Sequence, residues 1–187
     1  HYHIMGIEVE ELSPLPENVS LTSAVEEVLS RIPSHLTVNV KNIKVGNFEH
    51  LNKREMQAVY ENSVIYVTNK QESVSDLVDD LIHEFAHSVE EIYGEEIYGD
   101  KTLQDEFLRK RKKMWNRLKS GGYEVDISFF LETSYNKDFD NFLYKEVGYD
   151  KIRMMLADIF FSPYAATSLK EYYANGFEAF FMKEEVR

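Results

Sequence analysis

The sequence predicts an α+β fold, in which a small N-terminal sheet with a helix over it precedes a mainly helical C-terminal lobe. Short β-branched and aromatic runs lie before residue 70, the clearest being Val64-Ile65-Tyr66-Val67. Apolar residues at helical spacing dominate after residue 73. The chain has 187 residues, of which 43% are hydrophobic. That length and composition allow a substantial core, and we expect one domain over residues 1–187.

The N-terminal third predicts three strands and one helix. A first strand is expected over residues 4–10. Ser20 then caps a helix, which Pro33 ends because proline cannot continue the backbone hydrogen bonding. Two further strands are expected over residues 37–45 and 63–68.

A long helix follows, starting after Ser73 or Ser75 and ending near Gly94 or Gly99. Its apolar positions recur at helical spacing, so that one face packs on the core. These positions are Val74, Leu77, Val78, Leu81, Ile82, Phe85, Val89 and Ile92. Polar and acidic residues occupy the other side.

That other side carries His83-Glu84-Phe85-Ala86-His87, which matches the H-E-x-x-H signature of zinc peptidases. Histidines four residues apart project from one helix face, so that both imidazoles can share a metal ion. Glu84 is displaced around the helix, where it can meet a water without being a ligand. Asp79 and Asp80 either support the histidines or are exposed.

A catalytic zinc site needs a third protein ligand and an open position. The chain has no cysteine, which leaves His, Glu and Asp as donors. Our candidate is Glu171, on a last helix. Ser168 and Glu171 are also spaced as a capping box, which would use the carboxylate locally. Glu178, almost two turns further on the same face, is the second candidate.

Residues 101–119 carry eight of the chain's 21 basic residues and an apolar stripe. They predict a basic amphipathic helix, which either docks an acidic partner or substrate or forms a charged outer face. Residues 123–149 are rich in Phe and Tyr, which line a pocket or pack in the core. A helix over residues 149–161 should end at Pro163.

Composition excludes several function classes. The net charge of −12 disfavours nonspecific attraction to nucleic acid, and no nucleic-acid-binding motif accompanies the basic segment. No apolar run reaches the length of a membrane span.

An alternative interpretation of the H-E-x-x-H motif is a non-catalytic protein-binding module with a structural zinc, which would have four protein ligands.

The chain resembles the anthrax lethal factor-like zinc peptidases, which include the secreted Pro-Pro endopeptidases. Their pattern pairs H-E-x-x-H with a later Tyr and, seven residues on, a Glu that opens an aromatic helix; Tyr164 and Glu171 have that spacing. The N-terminal helix ending in Ile32-Pro33 and an edge strand over residues 64–67 are similar as well. The resemblance covers about residues 20–95 and 155–185.

The resemblance implies a zincin-like endopeptidase domain with zinc in the cleft between the two motif helices. His83, His87 and Glu171 would bind one Zn²⁺, Glu84 would be the general base, and Tyr164 would stabilise the transition state. Protein or peptide substrates and an extracellular location follow from the same likeness. An extended peptide is expected to add to the edge strand.

Two departures from that pattern stand out. The interval between His87 and Glu171 is long, so residues 100–150 are predicted to be a helical insertion, and Asn175 replaces a frequent second Glu. The run Glu171-x-x-Ala174-Asn175-x-Phe177 is also similar to the ligand helix of cytosolic metallopeptidases that cleave phage and stress repressors. Those enzymes have a much shorter interval, and they are our alternative.

Overall fold

A computed structural model describes residues 1–53 and 56–183. The predicted α+β class is confirmed: the described residues form one five-stranded sheet and seven α-helices. The chain divides into two compact units. The first unit comprises residues 1–93 with those from 177 onward, and the second comprises residues 94–176.

The sheet belongs to the first unit, and all of its strands precede residue 70. They are β1 (Tyr2–Ile4), β2 (Ile7–Glu11), β3 (Asn42–Gly46), β4 (Ala58–Glu61) and β5 (Val64–Thr68). Their order across the sheet is β1-β2-β3-β5-β4. The three central strands are parallel, and the two outer strands pair antiparallel to their neighbours.

Three helices accompany this sheet: α1 (Leu21–Arg31), the short α2 (Glu49–Asn52) and α3 (Val74–Tyr98). Alternate residues of the central strands, among them Val9, Ile43 and Ile65, are fully buried against apolar residues of α1 and α3. This one-sided burial explains the alternating pattern of the strands. It also fixes the core-facing side of α3.

The expectation that residues 64–68 form an edge strand is wrong. β5 lies between β3 and β4, and among the described residues β4 is the outer strand on this side. Asn62 and Ser63 join β4 to β5 with backbone φ angles of 48° and 68°. Positive φ at both central residues is typical of the two-residue hairpin turn that matches strand twist. Asn62-Ser63 was therefore the turn signal that the sequence analysis missed.

The same turn type occurs at Met5 and Gly6, whose φ angles are 47° and 85°. The predicted first strand over residues 4–10 is thus the hairpin of β1 and β2. Gly6 tolerates such a φ at no steric cost, whereas Met5 adopts the left-handed region only because the hairpin imposes it.

The motif helix α3 begins where predicted. The Ser73 hydroxyl accepts a hydrogen bond from the Asp76 amide at 3.0 Å, which caps the helix. Its backbone leaves helical geometry at Tyr93 (φ −112°, ψ 20°), next to the boundary between the two units. Helical geometry resumes as far as Tyr98.

The second unit contains α4 (Thr102–Ser120), α5 (Lys137–Asn141), α6 (Tyr149–Met155) and the first turns of α7 (Leu169–Met182). The helix expected over residues 149–161 stops at Met155. Leu156, Ile159 and Phe160 lie beyond its end and are still buried. Their i, i+3, i+4 spacing imitates one face of a helix, which explains why the expected helix was too long. The predicted insertion over residues 100–150 lies inside this unit, and its status as an insertion stays a prediction.

The core of the second unit contains the predicted apolar stripe of α4. Phe107, Met114 and Leu118 are fully buried there. Core packing also accounts for Phe130 and Phe139, from the aromatic-rich segment. Tyr135 and Tyr144, from the same segment, are about half exposed.

Among the described residues, no helix combines the length and the apolar character that a membrane crossing requires.

Candidate metal centre

Helix α3 presents His83 and His87 side by side. Their ring centroids are 5.2 Å apart, and the ring planes are nearly perpendicular, at 78°. The side chains are largely buried, with exposed fractions of 14% and 10%. Four-residue spacing on a regular helix produces this arrangement, as the sequence predicted.

Each imidazole has a carboxylate beside its Nδ1 atom. Glu178 Oε1 lies 3.2 Å from His83 Nδ1, and Glu90 Oε1 lies 2.7 Å from His87 Nδ1. A carboxylate at one ring nitrogen holds the proton there and orients the ring, so that Nε2 is the lone-pair donor. Glu178, the second ligand candidate, thus contacts His83 at Nδ1, the nitrogen opposite the lone-pair donor Nε2.

His83, His87 and Glu171 form a group that can hold a metal ion. Each offers one ligand atom, and these atoms all lie within 4.8 Å of one another. Two imidazole nitrogens and a carboxylate oxygen match the donor set of zinc sites built without thiolates. The burial of the two histidines also limits competition from water.

Glu171 lies in the first turn of α7. The Ser168 hydroxyl accepts a hydrogen bond from the Glu171 amide at 3.1 Å, which is the Ser168 half of the predicted capping box. Because this bond uses the backbone, it fixes the point at which the Glu171 side chain leaves the helix.

A cluster of carboxylates surrounds the histidine pair. Glu84 is only 7% exposed. Burial, and then the charge of Glu178, raise the pKa of Asp79 to about 6. Burial raises the pKa of Asp80 to about 7; the hydrogen bond from Gln71 opposes this shift, and the charges of Asp79 and Glu84 add to it. Negative charge concentrated in a partly buried place favours a cation nearby.

Tyr164 opens a short 3₁₀ turn, Tyr164–Ala166, just before α7, and its side chain is partly exposed. The Thr167 amide and hydroxyl both donate to the Tyr164 carbonyl, at 3.0 and 2.7 Å. The phenol lies near Tyr149, whose pKa it helps to raise above its ordinary value, although burial is the main cause. The catalytic role expected for Tyr164 stays a prediction.

No family model, curated protein or solved structure matches this chain. The interpretation of the centre therefore depends on its donor set and on the spacing of the motif.

The hydrogen bonds of two residues in the second unit were not predicted from the sequence. The Arg111 guanidinium, in the basic run, is buried and donates to the carbonyls of Ala166 and Phe129, at 2.9 and 2.6 Å. Asn175 is also buried, and its amide donates to the Ser162 hydroxyl at 3.1 Å. A signal for the first existed, because residue 111 continues the apolar stripe of α4 at helical spacing.

Proposed function

We propose that this chain is a zinc-dependent endopeptidase in which His83, His87 and Glu171 bind one Zn²⁺. The observation that carries the proposal is the convergence of these three donors, since two of them flank Glu84 in an H-E-x-x-H helix. Such a set leaves an open position, as catalytic zinc sites require.

When bound, zinc would supply Lewis acidity and lower the pKa of a bound water toward neutrality. Glu84 would take a proton from the attacking water and deliver it to the departing amine. Its place next to His83, in a buried part of the motif helix, supports this role, because a general base must lie within reach of the water from which it takes a proton.

Tyr164 would donate its phenolic proton in a hydrogen bond to the oxyanion that develops on the peptide carbonyl. A donor aimed at charge that appears only in the transition state raises turnover without tightening ground-state binding. The Thr167 contacts support this role, since they fix the backbone from which the phenol projects.

Glu178 and Glu90 would orient the two imidazoles through their Nδ1 atoms. Carboxylate partners of this kind raise the basicity of the ligating nitrogen, and their loss typically lowers metal affinity about 10- to 100-fold. We therefore assign Glu178 a supporting role rather than a place in the ligand set.

The substrate would be a protein or peptide in extended form. With β5 inside the sheet, β4 is the outer strand next to it among the described residues, and it replaces β5 as the place for strand addition. Backbone pairing would hold the peptide, and side-chain contacts would select its sequence.

Metal content tests the ligand set. Zinc would be measured by elemental analysis in wild type, Glu171→Ala and Glu178→Ala after the same metal reconstitution and dialysis. We expect about one zinc per chain in wild type. Glu171→Ala should lose it, and Glu178→Ala should keep it with weaker affinity. Loss of zinc in Glu178→Ala but not in Glu171→Ala would make Glu178 the ligand and Glu171 the supporting residue. Absence of zinc from the wild-type protein would refute the proposal.

Activity tests the chemistry, with a peptide library screened by mass spectrometry. Glu84→Gln and Tyr164→Phe should both retain zinc. Tyr164→Phe should lose about 2.7–4 kcal/mol of transition-state stabilisation, and Glu84→Gln should lose more. Wild-type rates in either variant would refute the assigned roles. Zinc binding without cleavage of any peptide would favour a non-catalytic zinc module.

A further inference from the structure

A groove of about 560 Å³ runs along the outer side of α4 in the second unit. Lys110, Lys113 and Arg117 line it, at spacings that place them on one helix face. Ile159, buried in the core of this unit, forms part of its floor. The groove therefore combines a basic rim with an apolar base.

The cations of this rim differ in how far they are already neutralised. Arg117 pairs with Asp158, with 2.5 Å between Nη1 and Oδ1, and also donates to the Met155 carbonyl. This pair fixes one end of the groove. Lys113 is exposed and makes no ion pair within 4.0 Å among the described residues, and its charge acts on Asp158 from a greater distance.

The other end of the groove approaches the proposed ligand helix. The Lys110 ammonium lies 4.8 Å from the ring centroid of Tyr172 and 3.8 Å from the Glu106 carboxylate. The Tyr172 hydroxyl in turn donates to Glu106. Tyr172 directly follows Glu171, so a chain segment bound in the groove would run beside the first turn of α7.

We propose that this groove binds an acidic segment of the protein substrate. The argument is one of charge: three of the eight basic residues in residues 101–119 line the groove, against one carboxylate, Asp158, within a chain of net charge −12. Such a local basic surface attracts acidic peptides while the rest of the molecule repels them, which selects both a place and an orientation. The substrate role rests on the proposed peptidase function, whereas binding itself does not.

Binding would be measured by fluorescence anisotropy, with a labelled poly-glutamate peptide and the full chain carrying Glu84→Gln to prevent cleavage. Lys113→Glu is the test variant. Lys112→Glu is the matched control, because Lys112 is the neighbouring exposed lysine of α4 and does not line the groove. We expect Lys113→Glu to weaken peptide binding about fivefold or more and Lys112→Glu to change it less than about twofold. Added salt should weaken peptide binding by wild type and by both variants.

Equal effects of the two variants would overturn the proposal, because they would show attraction to net charge rather than to the groove. Tighter binding of a single-stranded oligonucleotide than of the peptide would also overturn it. If the active chain cleaves a peptide, a glutamate tail added to that peptide should lower KM and leave kcat unchanged in wild type. In Lys113→Glu, the same tail should not lower KM. Peptide binding in the groove without any peptidase activity would refute the proposed function, but it would support the groove as a binding site for acidic peptides.

Discussion

The buried guanidinium of Arg111 is surrounded by backbone and aromatic groups. Its two terminal nitrogens donate to the carbonyls of Ala166 and Phe129, and its Nε has no hydrogen-bond partner among the described residues. Ring centroids of Phe139, Phe107 and Phe130 lie 4.4, 4.9 and 5.9 Å from its central carbon. Burial lowers its pKa to about 10, so the group remains a cation at neutral pH.

Arg111→Met should therefore destabilise the protein by about 2 kcal/mol, because it leaves two buried carbonyls without donors. Arg111→Lys should also destabilise it, since one ammonium does not reproduce the fork of the guanidinium. Urea unfolding with an unchanged m-value would measure the loss. Arg109→Met, at an exposed neighbouring position, is the control and should change stability by less than about 0.5 kcal/mol. Equal effects at both positions would contradict this account.

Asp80 gives a pH dependence to the metal-free protein. Its folded-state pKa, about 7, lies above the ordinary value of 3.8, so the folded state binds more protons between these pH values. Stability should therefore fall as pH rises from about 4 to about 7. Asp79 titrates in the same direction and adds to the wild-type slope.

Asp80→Asn should reduce that slope, and it should make the metal-free protein more stable than wild type at pH 8 but not at pH 4. The asparagine oxygen can still accept the Gln71 hydrogen bond, which spans 3.1 Å in the structure. Urea unfolding in a chelator at both pH values would test this. Stabilisation of equal size at pH 4 and pH 8 would show that the carboxyl charge is not the cause.

At the scale of elements, the starts of the two motif helices can be compared directly. Ser73 caps α3, and Ser168 caps α7 through the Glu171 amide. His83 lies almost three turns into α3, whereas Glu171 lies within the first turn of α7. Fraying of a helix start should therefore affect the proposed metal ligand only in α7.

Ser73→Ala and Ser168→Ala should each cost about 1 kcal/mol of stability, the usual value for a lost N-cap. Only Ser168→Ala should weaken zinc affinity, because only its helix start carries a ligand. Competition with a chelator of known affinity would measure this. Weakening of equal size in Ser73→Ala would indicate a general effect of stability.

The elements also show how far the sequence could lead. Helical periodicity predicted α4 to within about one residue and the start of α3 to within about two, because their apolar faces repeat over many turns; the end of α3 was left open between Gly94 and Gly99. Local spacing likewise predicted the pairing of His83 and His87. β4 was missed because it is four residues long and its partner is set by a turn. The contact of Glu178 with His83 could not be predicted, since it joins residues 95 positions apart through tertiary packing.

At the scale of the whole molecule, a metal that binds the folded state alone must raise its stability. Zinc at 100 times its dissociation constant should contribute about 2.7 kcal/mol. For a chain of this length that corresponds to a rise in Tm of roughly 5–10 °C. Thermal unfolding with zinc and with a chelator would measure it. His83→Ala should show no such rise, and an equal rise in that variant would place the zinc elsewhere.

The four residues of β4 set a limit on any peptide that pairs with it. Along an antiparallel outer strand, only alternate residues turn their N–H and C=O groups outward, so β4 offers about two such residues. The matching footprint on a guest peptide is roughly 13 Å, or about four residues. Every sequence would make the same few backbone bonds within that window. Discrimination between cleavage sites would consequently depend on side chains. A short peptide that covers the four-residue footprint would make all of the backbone hydrogen bonds that a longer substrate makes with β4.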